Sequence, residues 1–140
     1  MKIVKNECLG GFNLSPKGRV EYLKRKGKSA FFYTQTKYKH FDGICEYRKI
    51  KPEDADIFTH ILTVDLGDVV NELKYSDDEY FTPQKLERTD PDLIAVVEEL
   101  GKKAGGIFSD LVVVEIPDGI EWEIDDYDGM ETIREKHRTW

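Results

Sequence analysis

The sequence predicts an α+β fold: a mostly antiparallel sheet carrying two main helices. Three observations predict it. Two segments, about 15–27 and 90–104, carry helix punctuation at both ends. Several others are rich in β-branched and aromatic residues over strand length. The C-terminal third alternates apolar and acidic residues between turn-forming strings, as a β-meander does. A chain of 140 residues, 39% hydrophobic and 35% charged, is long enough to bury a core. The expectation is a single domain over 1–140 with a loop-rich middle at about 74–89.

The elements follow in order. "KIVKNEC" is a short first strand, and "LGGF" is a tight connection whose glycines permit backbone angles other residues resist. "NLSPKGRVEYLKRKGK" is the first helix. Ser15 caps it, Pro16 suits its first position because the missing N–H would be unpaired there, and Gly27 stops it. Val20 and Leu23 face the core with Tyr22 at the edge, and Gly18 weakens the helix. "SAFFYTQTKYK" and "ICEYRKI" are strands joined through the turn-like "HFDG". After the acidic loop "KPEDAD", "IFTHILTVDL" is a further strand, with Ile57, Ile61, Leu62 and Val64 as core candidates. "GDVVNEL" reads as a short helix and "KYSDDEYFTPQKLERT" as a surface loop.

The second helix is the clearest element. In "TDPDLIAVVEELGKKAGG", Asp90 caps, Pro91 opens and Asp92 suits the positive helix end. Leu93, Val96, Val97 and Leu100 follow the spacing of a core-facing stripe. Glu98–Lys102 and Glu99–Lys103 are oriented as i, i+4 pairs, and Gly105-Gly106 ends the helix. "DLVVVEI" is a β-branched run. "PDG" turns it into "IEWEI", where Ile120, Trp122 and Ile124 alternate with Glu121 and Glu123, a hairpin with one acidic face. "DDYDG" is a second turn. The tail "METIREKHRTW" fits a strand, with Ile133, Glu135 and His137 on one face and Arg134, Lys136, Arg138 and Trp140 on the other, or a helix that lines up Met130, Ile133 and His137; the strand is preferred because two hairpin turns precede it.

Composition narrows the function classes. No apolar run approaches bilayer length, and "MKIVKNECLGG" lacks a signal peptide's apolar stretch, so the expectation is a cytoplasmic protein. Cys8 and Cys45 form no metal or redox pattern and are expected as free thiols. Net charge is −7, but residues 1–51 hold 13 Lys and Arg against 4 Asp and Glu, while 52–140 hold 8 against 24. Such asymmetry lets the two ends face each other, or offers a charged face to a partner. No nucleic-acid motif accompanies the basic stretch, so a nucleic-acid partner is disfavoured.

The candidate chemistry lies near the C-terminus. In "IDDYDGMETIRE", Asp126, Asp128, Gly129 and Glu135 match positions of a calcium loop, but Ile124 stands where the first ligand belongs. The reading is therefore an Asp-Gly turn, with no metal and no cofactor. His137 with Glu131 and Glu135 nearby has the makings of a general base. Arg138 beside Trp140 has the makings of a stacking and phosphate-pairing corner. No serine elbow, cysteine–histidine signature, zinc spacing or phosphate loop is present, which disfavours an enzyme. Glu135, His137, Arg138, Trp140 and Asp128 are the candidate binding residues.

Three blocks, "CLGGFNLSPKG", "RTDPDLIAVVEELGKKAGG" and "LVVVEIPDGIEWEIDDYDGMETIREKHRTW", resemble a family of small tailed-bacteriophage proteins. That family carries a GGFxLS start, a DPDLxxxVEELG helix and a VEIPD…YDGxExIxExHRxW ending. The resemblance covers roughly the first 25 and last 55 residues, and not the middle. It implies a phage or prophage origin and expression in host cytoplasm, and it implies no activity.

These readings lead to a non-enzymatic phage accessory protein that binds and inhibits a host factor, such as an antiviral defence component. Two alternatives stand beside it: a sponge for a nucleotide-type signal, gripped by Arg138, His137 and Trp140, and a small enzyme using His137 and Glu135. A homo-oligomer stays open.

Overall fold

The structure, a computed structural model, describes residues 1–38 and 43–136. It is α+β and packs as two compact units. One comprises Met1–Tyr22 and Pro83–Trp140, the other Leu23–Thr82. Among the described residues, no helix is long and apolar enough to cross a membrane.

In the first unit, β1 (Lys2–Asn6) pairs antiparallel with β6 (Leu111–Glu115), from Lys2 opposite Glu115 to Asn6 opposite Leu111. Helix α2 (Pro91–Leu100) packs on this pair and buries Leu93, Val96 and Val97, as its stripe predicts. Each such burial contributes about 1.5–3 kcal/mol. The Asp90 carboxylate caps α2 by accepting from the Asp92 N–H at 2.8 Å, and it also accepts from the Tyr22 hydroxyl at 2.7 Å. That bond places Tyr22 in the core, at 5% exposure, instead of at the edge. The helix ends sooner than Gly105-Gly106. Gly101 turns left-handed at φ 57°, and a 3-10 turn follows over Gly101–Lys103. Glu98 therefore makes its ion pair with Lys2 of β1, at 2.8 Å, and not with Lys102.

Helix α1 (Pro16–Arg25) starts against the segment that follows α2. Ser15 Oγ accepts from the Gly18 N–H at 3.0 Å, the expected cap, and donates to the Lys103 carbonyl at 2.6 Å. The Ser15 N–H donates to the Ala104 carbonyl at 2.8 Å. Gly18, which looks like a weakness in the helix, permits this approach: a Cβ there would stand 2.9 Å from the Ala104 oxygen.

The chain end forms a hairpin. β7 (Trp122–Tyr127) pairs with β8 (Met130–Glu135), closing at Tyr127 opposite Met130. The connecting Asp128 and Gly129 have φ 49° and 90°, both positive, as a type I′ turn requires. The tail is thus a strand through Glu135. The expected meander is narrower than three strands, because β6 hydrogen-bonds to β1 and not to β7.

The second unit is a four-stranded sheet in the order β4-β2-β3-β5, with β2 (Phe31–Lys37), β3 (Glu46–Ile50), β4 (His60–Leu62) and β5 (Val69–Val70). Phe32, Tyr33, Ile61 and Leu62 are buried. Two expectations fail here. Ile57 is 74% exposed, because β4 begins only at His60. "GDVVNEL" is no helix: its β-branched Val69 and Val70 pair with Arg48 and Tyr47. The preceding loop wraps the buried Tyr33, whose hydroxyl donates to the Gly67 carbonyl and accepts from the Leu66 N–H, both at 2.9 Å. Lys49 bonds Asp65 at 2.6 Å and holds that carboxyl below its ordinary value. Residues read as a plain surface loop are ordered too. A capping box joins Ser76 and Glu79, and the Phe81 N–H donates to the Ile61 carbonyl at 3.0 Å.

Two outcomes are expected. Gly18→Ala lowers the melting temperature, by about 1–3 kcal/mol of overpacking, although alanine is the better helix former by about 1 kcal/mol. A higher melting temperature would contradict the close approach. His60 lies between Tyr47 and Tyr80, with ring centroids 6.0 and 6.3 Å away. Burial pushes its pKa below the ordinary 6.5. The unfolded chain then takes up the proton first, so stability is full above pH 6.5 and falls as pH drops below it. Thermal melts at about pH 7.5 and about pH 5.5 should show a smaller acid loss in His60→Gln than in the parent.

Candidate functional site

Three loops of the first unit converge on one tip. The first is Leu9-Gly10-Gly11, the second Ile107-Phe108, the third the β7–β8 turn. The Gly10 N–H donates to the Asp128 carbonyl at 2.9 Å, and Ser109 Oγ donates to the Gly11 carbonyl at 2.5 Å. Gly129 lies so close to the Gly10-Gly11 backbone that a Cβ would overlap it.

Asn6 holds the three loops from beneath. It is fully buried, and its side-chain amide uses all its hydrogen-bonding capacity. Its amide nitrogen donates to the Cys8 and Gly129 carbonyls, both at 2.7 Å. Its Oδ1 accepts from the Asp110 N–H at 2.8 Å and the Cys8 N–H at 3.2 Å. Its backbone N–H donates to Glu131 Oε1 at 2.8 Å. Glu131, 5% exposed, takes a two-pronged bond from Arg88 at 2.5 and 2.8 Å. The Arg88 guanidinium carbon lies 3.7 Å from the Phe12 ring centroid. These three residues come one from each block of the phage-protein resemblance.

Above this base the tip is apolar and exposed. Leu9, Ile107, Phe108, Tyr127 and Met130 are 41–75% exposed. Phe108 has φ 64°, in the turn closed by the Ser109 N–H to the Gly106 carbonyl at 3.1 Å. For a bulky side chain that conformation is an outlier costing on the order of 1–3 kcal/mol. Asp126 and Asp128 rim the tip, and Asp126 Oδ1 accepts from the Gly129 N–H at 2.7 Å.

The candidate residues read from sequence divide. Asp128 is exposed at this tip. Glu135 is exposed at the far end of β8, opposite Trp122, about 17 Å of strand beyond the turn. The calcium-loop stretch is therefore an open hairpin, which sets Glu135 apart from Asp126 and Asp128. His137, Arg138 and Trp140 lie outside the described residues. Among the described residues, no three His, Cys, Asp or Glu side chains cluster in metal-binding geometry. Asn6, Arg88 and Phe108 carry no sequence signal of their roles: each is one residue in an ordinary-looking strand or loop. Only the Gly-Gly and Asp-Gly pairs hint at close backbone approach.

The buried pair has a measurable consequence. Glu131→Ala leaves Arg88 buried without its carboxylate and should cost about 3–5 kcal/mol in urea denaturation. Arg88→Met combined with Glu131→Leu should recover part of that loss, the remainder being the buried Asn6 N–H left without its acceptor. Additive losses in the double variant would contradict the coupling.

Comparison with known proteins finds no family model that matches this chain. No curated protein and no solved structure matches it either.

Proposed function

We propose that the protein is a non-enzymatic phage accessory protein that binds a host protein through this tip and blocks it. The observation that carries the reading is the exposed Phe108, held at a positive φ among four other exposed apolar side chains. Contiguous apolar surface with a polar rim is characteristic of protein-binding sites, and aromatic anchors supply most of their energy. Charge specifies the partner's sign. Residues 104–133 contain nine Asp and Glu and no Lys or Arg. Several of these acids are paired internally: Asp118 with the N-terminal amine, Glu123 with Arg134 and Glu131 with Arg88. Asp126 and Asp128 stay exposed at the rim. The partner surface is therefore basic around an apolar pocket, and the acidic rim speeds encounter with it. The phage origin and the host setting rest on the sequence resemblance.

Phe108→Gly separates binding from folding. Glycine relieves the strain but loosens the unfolded chain, so the melting temperature should change by only a few degrees. Tagged parent protein should retain a host protein from bacterial lysate, and Phe108→Gly and Tyr127→Ser should each reduce that retention at least about tenfold. Equal retention by both variants would move the interface elsewhere. A melting temperature raised by nucleotides, with no protein retained, would replace this reading with the nucleotide sponge.

A further inference from the structure

We propose that the outer edge of β6 pairs antiparallel with β6 of a second copy of this chain, joining two β1–β6 sheets into one of four strands. The Met1 amine donates to the Ile116 carbonyl at 2.8 Å and the Ile116 N–H returns a bond at 2.9 Å. The Glu7 N–H donates to the Asp110 carbonyl at 2.8 Å. In an antiparallel ladder this phase directs Asp110, Val112, Val114 and Ile116 at β1. Leu111, Val113 and Glu115 direct their N–H and C=O groups the other way. Among the described residues none of those outward groups has a backbone partner, and no strand lies beside them.

Three other edges are closed or charged. On β1 the Val4 N–H donates to the Arg88 carbonyl at 2.8 Å, and the Asn6 N–H is taken by Glu131. Beside β4, the Thr63 N–H and Phe81 N–H bond across to Glu79 and Ile61. β7 carries Glu123, Asp125 and Asp126. The β6 edge has no proline, no lysine and no bulge across "LVVV", so it lacks the usual protections against strand pairing.

The sequence of β6 suits its own copy. With the two-fold axis at Val113, the two Val113 residues exchange both N–H···O bonds. Val112 then faces Val114 of the second copy, a favourable β-branched pair. Each Glu115 faces Leu111, not the other Glu115. The two Glu115 residues stand about 13 Å apart along the strand, beyond the Debye length of about 8 Å at physiological salt. The contact is small beside the roughly 1,600 Å² of a stable complex, so the dimer forms at high protein concentration and more readily in added salt.

Sedimentation of the full chain from about 10 μM to about 1 mM tests this. Reversible dimerisation is expected, with Val113→Pro raising the dissociation constant about tenfold or more. Proline at that position removes only an outward N–H, which an edge strand tolerates. Amide exchange provides a second measurement without substitution. At high concentration the Leu111, Val113 and Glu115 amides of the parent should gain protection, while Val112 and Val114 are protected at every concentration. A chain monomeric to about 1 mM overturns the proposal. So does a dimer that Val113→Pro leaves intact, or one whose outward amides exchange as fast as in the monomer.

Discussion

The first unit depends on the buried pair of Arg88 and Glu131. Taking both charges out of water costs several kcal/mol per ion, and only close, fully bonded geometry offsets it. That geometry is present. Glu131 receives two guanidinium bonds and one backbone N–H, and Arg88 stacks over Phe12. Such a pair adds little net stability over an apolar replacement. Its contribution is to fix which segments meet. Because a misplaced partner would leave a bare buried charge, β8, β1 and the loop after Gly11 are held in one arrangement.

Backbone contact follows from that arrangement. Once Glu131 bonds the Asn6 N–H, the hairpin turn is brought against the Gly10-Gly11 segment, and no side chain fits between them. Gly129 is the residue that allows it. Asn6 then replaces a packed interface with hydrogen bonds, its side-chain amide reaching all three loops. Gly18 does the same for α1, where Ser15 and Ala104 join two segments main chain to main chain. A small unit economises on core in this way, joining loops by satisfied polar groups where it lacks apolar volume.

This explains what the sequence discloses. The α2 helix and the Asp-Gly hairpin are legible because their signals are local: a cap, a stripe, a turn dipeptide. So is the α+β class. The partner of β6 is not legible, because "LVVVE" states a strand and not its neighbour, and β1 lies more than a hundred residues away. The brevity of β4 is hidden for a related reason: Ile57 looks like a core residue of a longer strand over "IFTHILTVDL", yet it is about three-quarters exposed because β4 begins only at His60. Of the candidate site, Asp128 was visible as a turn acid. Arg88 and Asn6 were not, since a buried polar group reads in sequence like any surface one.

The tip poses an energetic problem that the rest of the unit does not. A side chain the size of Phe or Leu contributes about 1.5–3 kcal/mol when buried. Total stability for a domain of this size is only about 5–15 kcal/mol. Leaving Leu9, Ile107, Phe108, Tyr127 and Met130 between 41% and 75% exposed therefore forgoes a large fraction of that stability. Phe108 adds backbone strain to that loss, maintained by the turn at Gly106–Ser109 and the Ser109 bond to Gly11. The loops beneath are held by a polar network without an unsatisfied buried side-chain atom among the described residues. A rigid base under a costly apolar surface is the reverse of a loose loop that happens to expose carbon. The ordering entropy of these loops has already been met in folding, so a partner that buries these side chains loses less of the gain to ordering than it would on a loose loop.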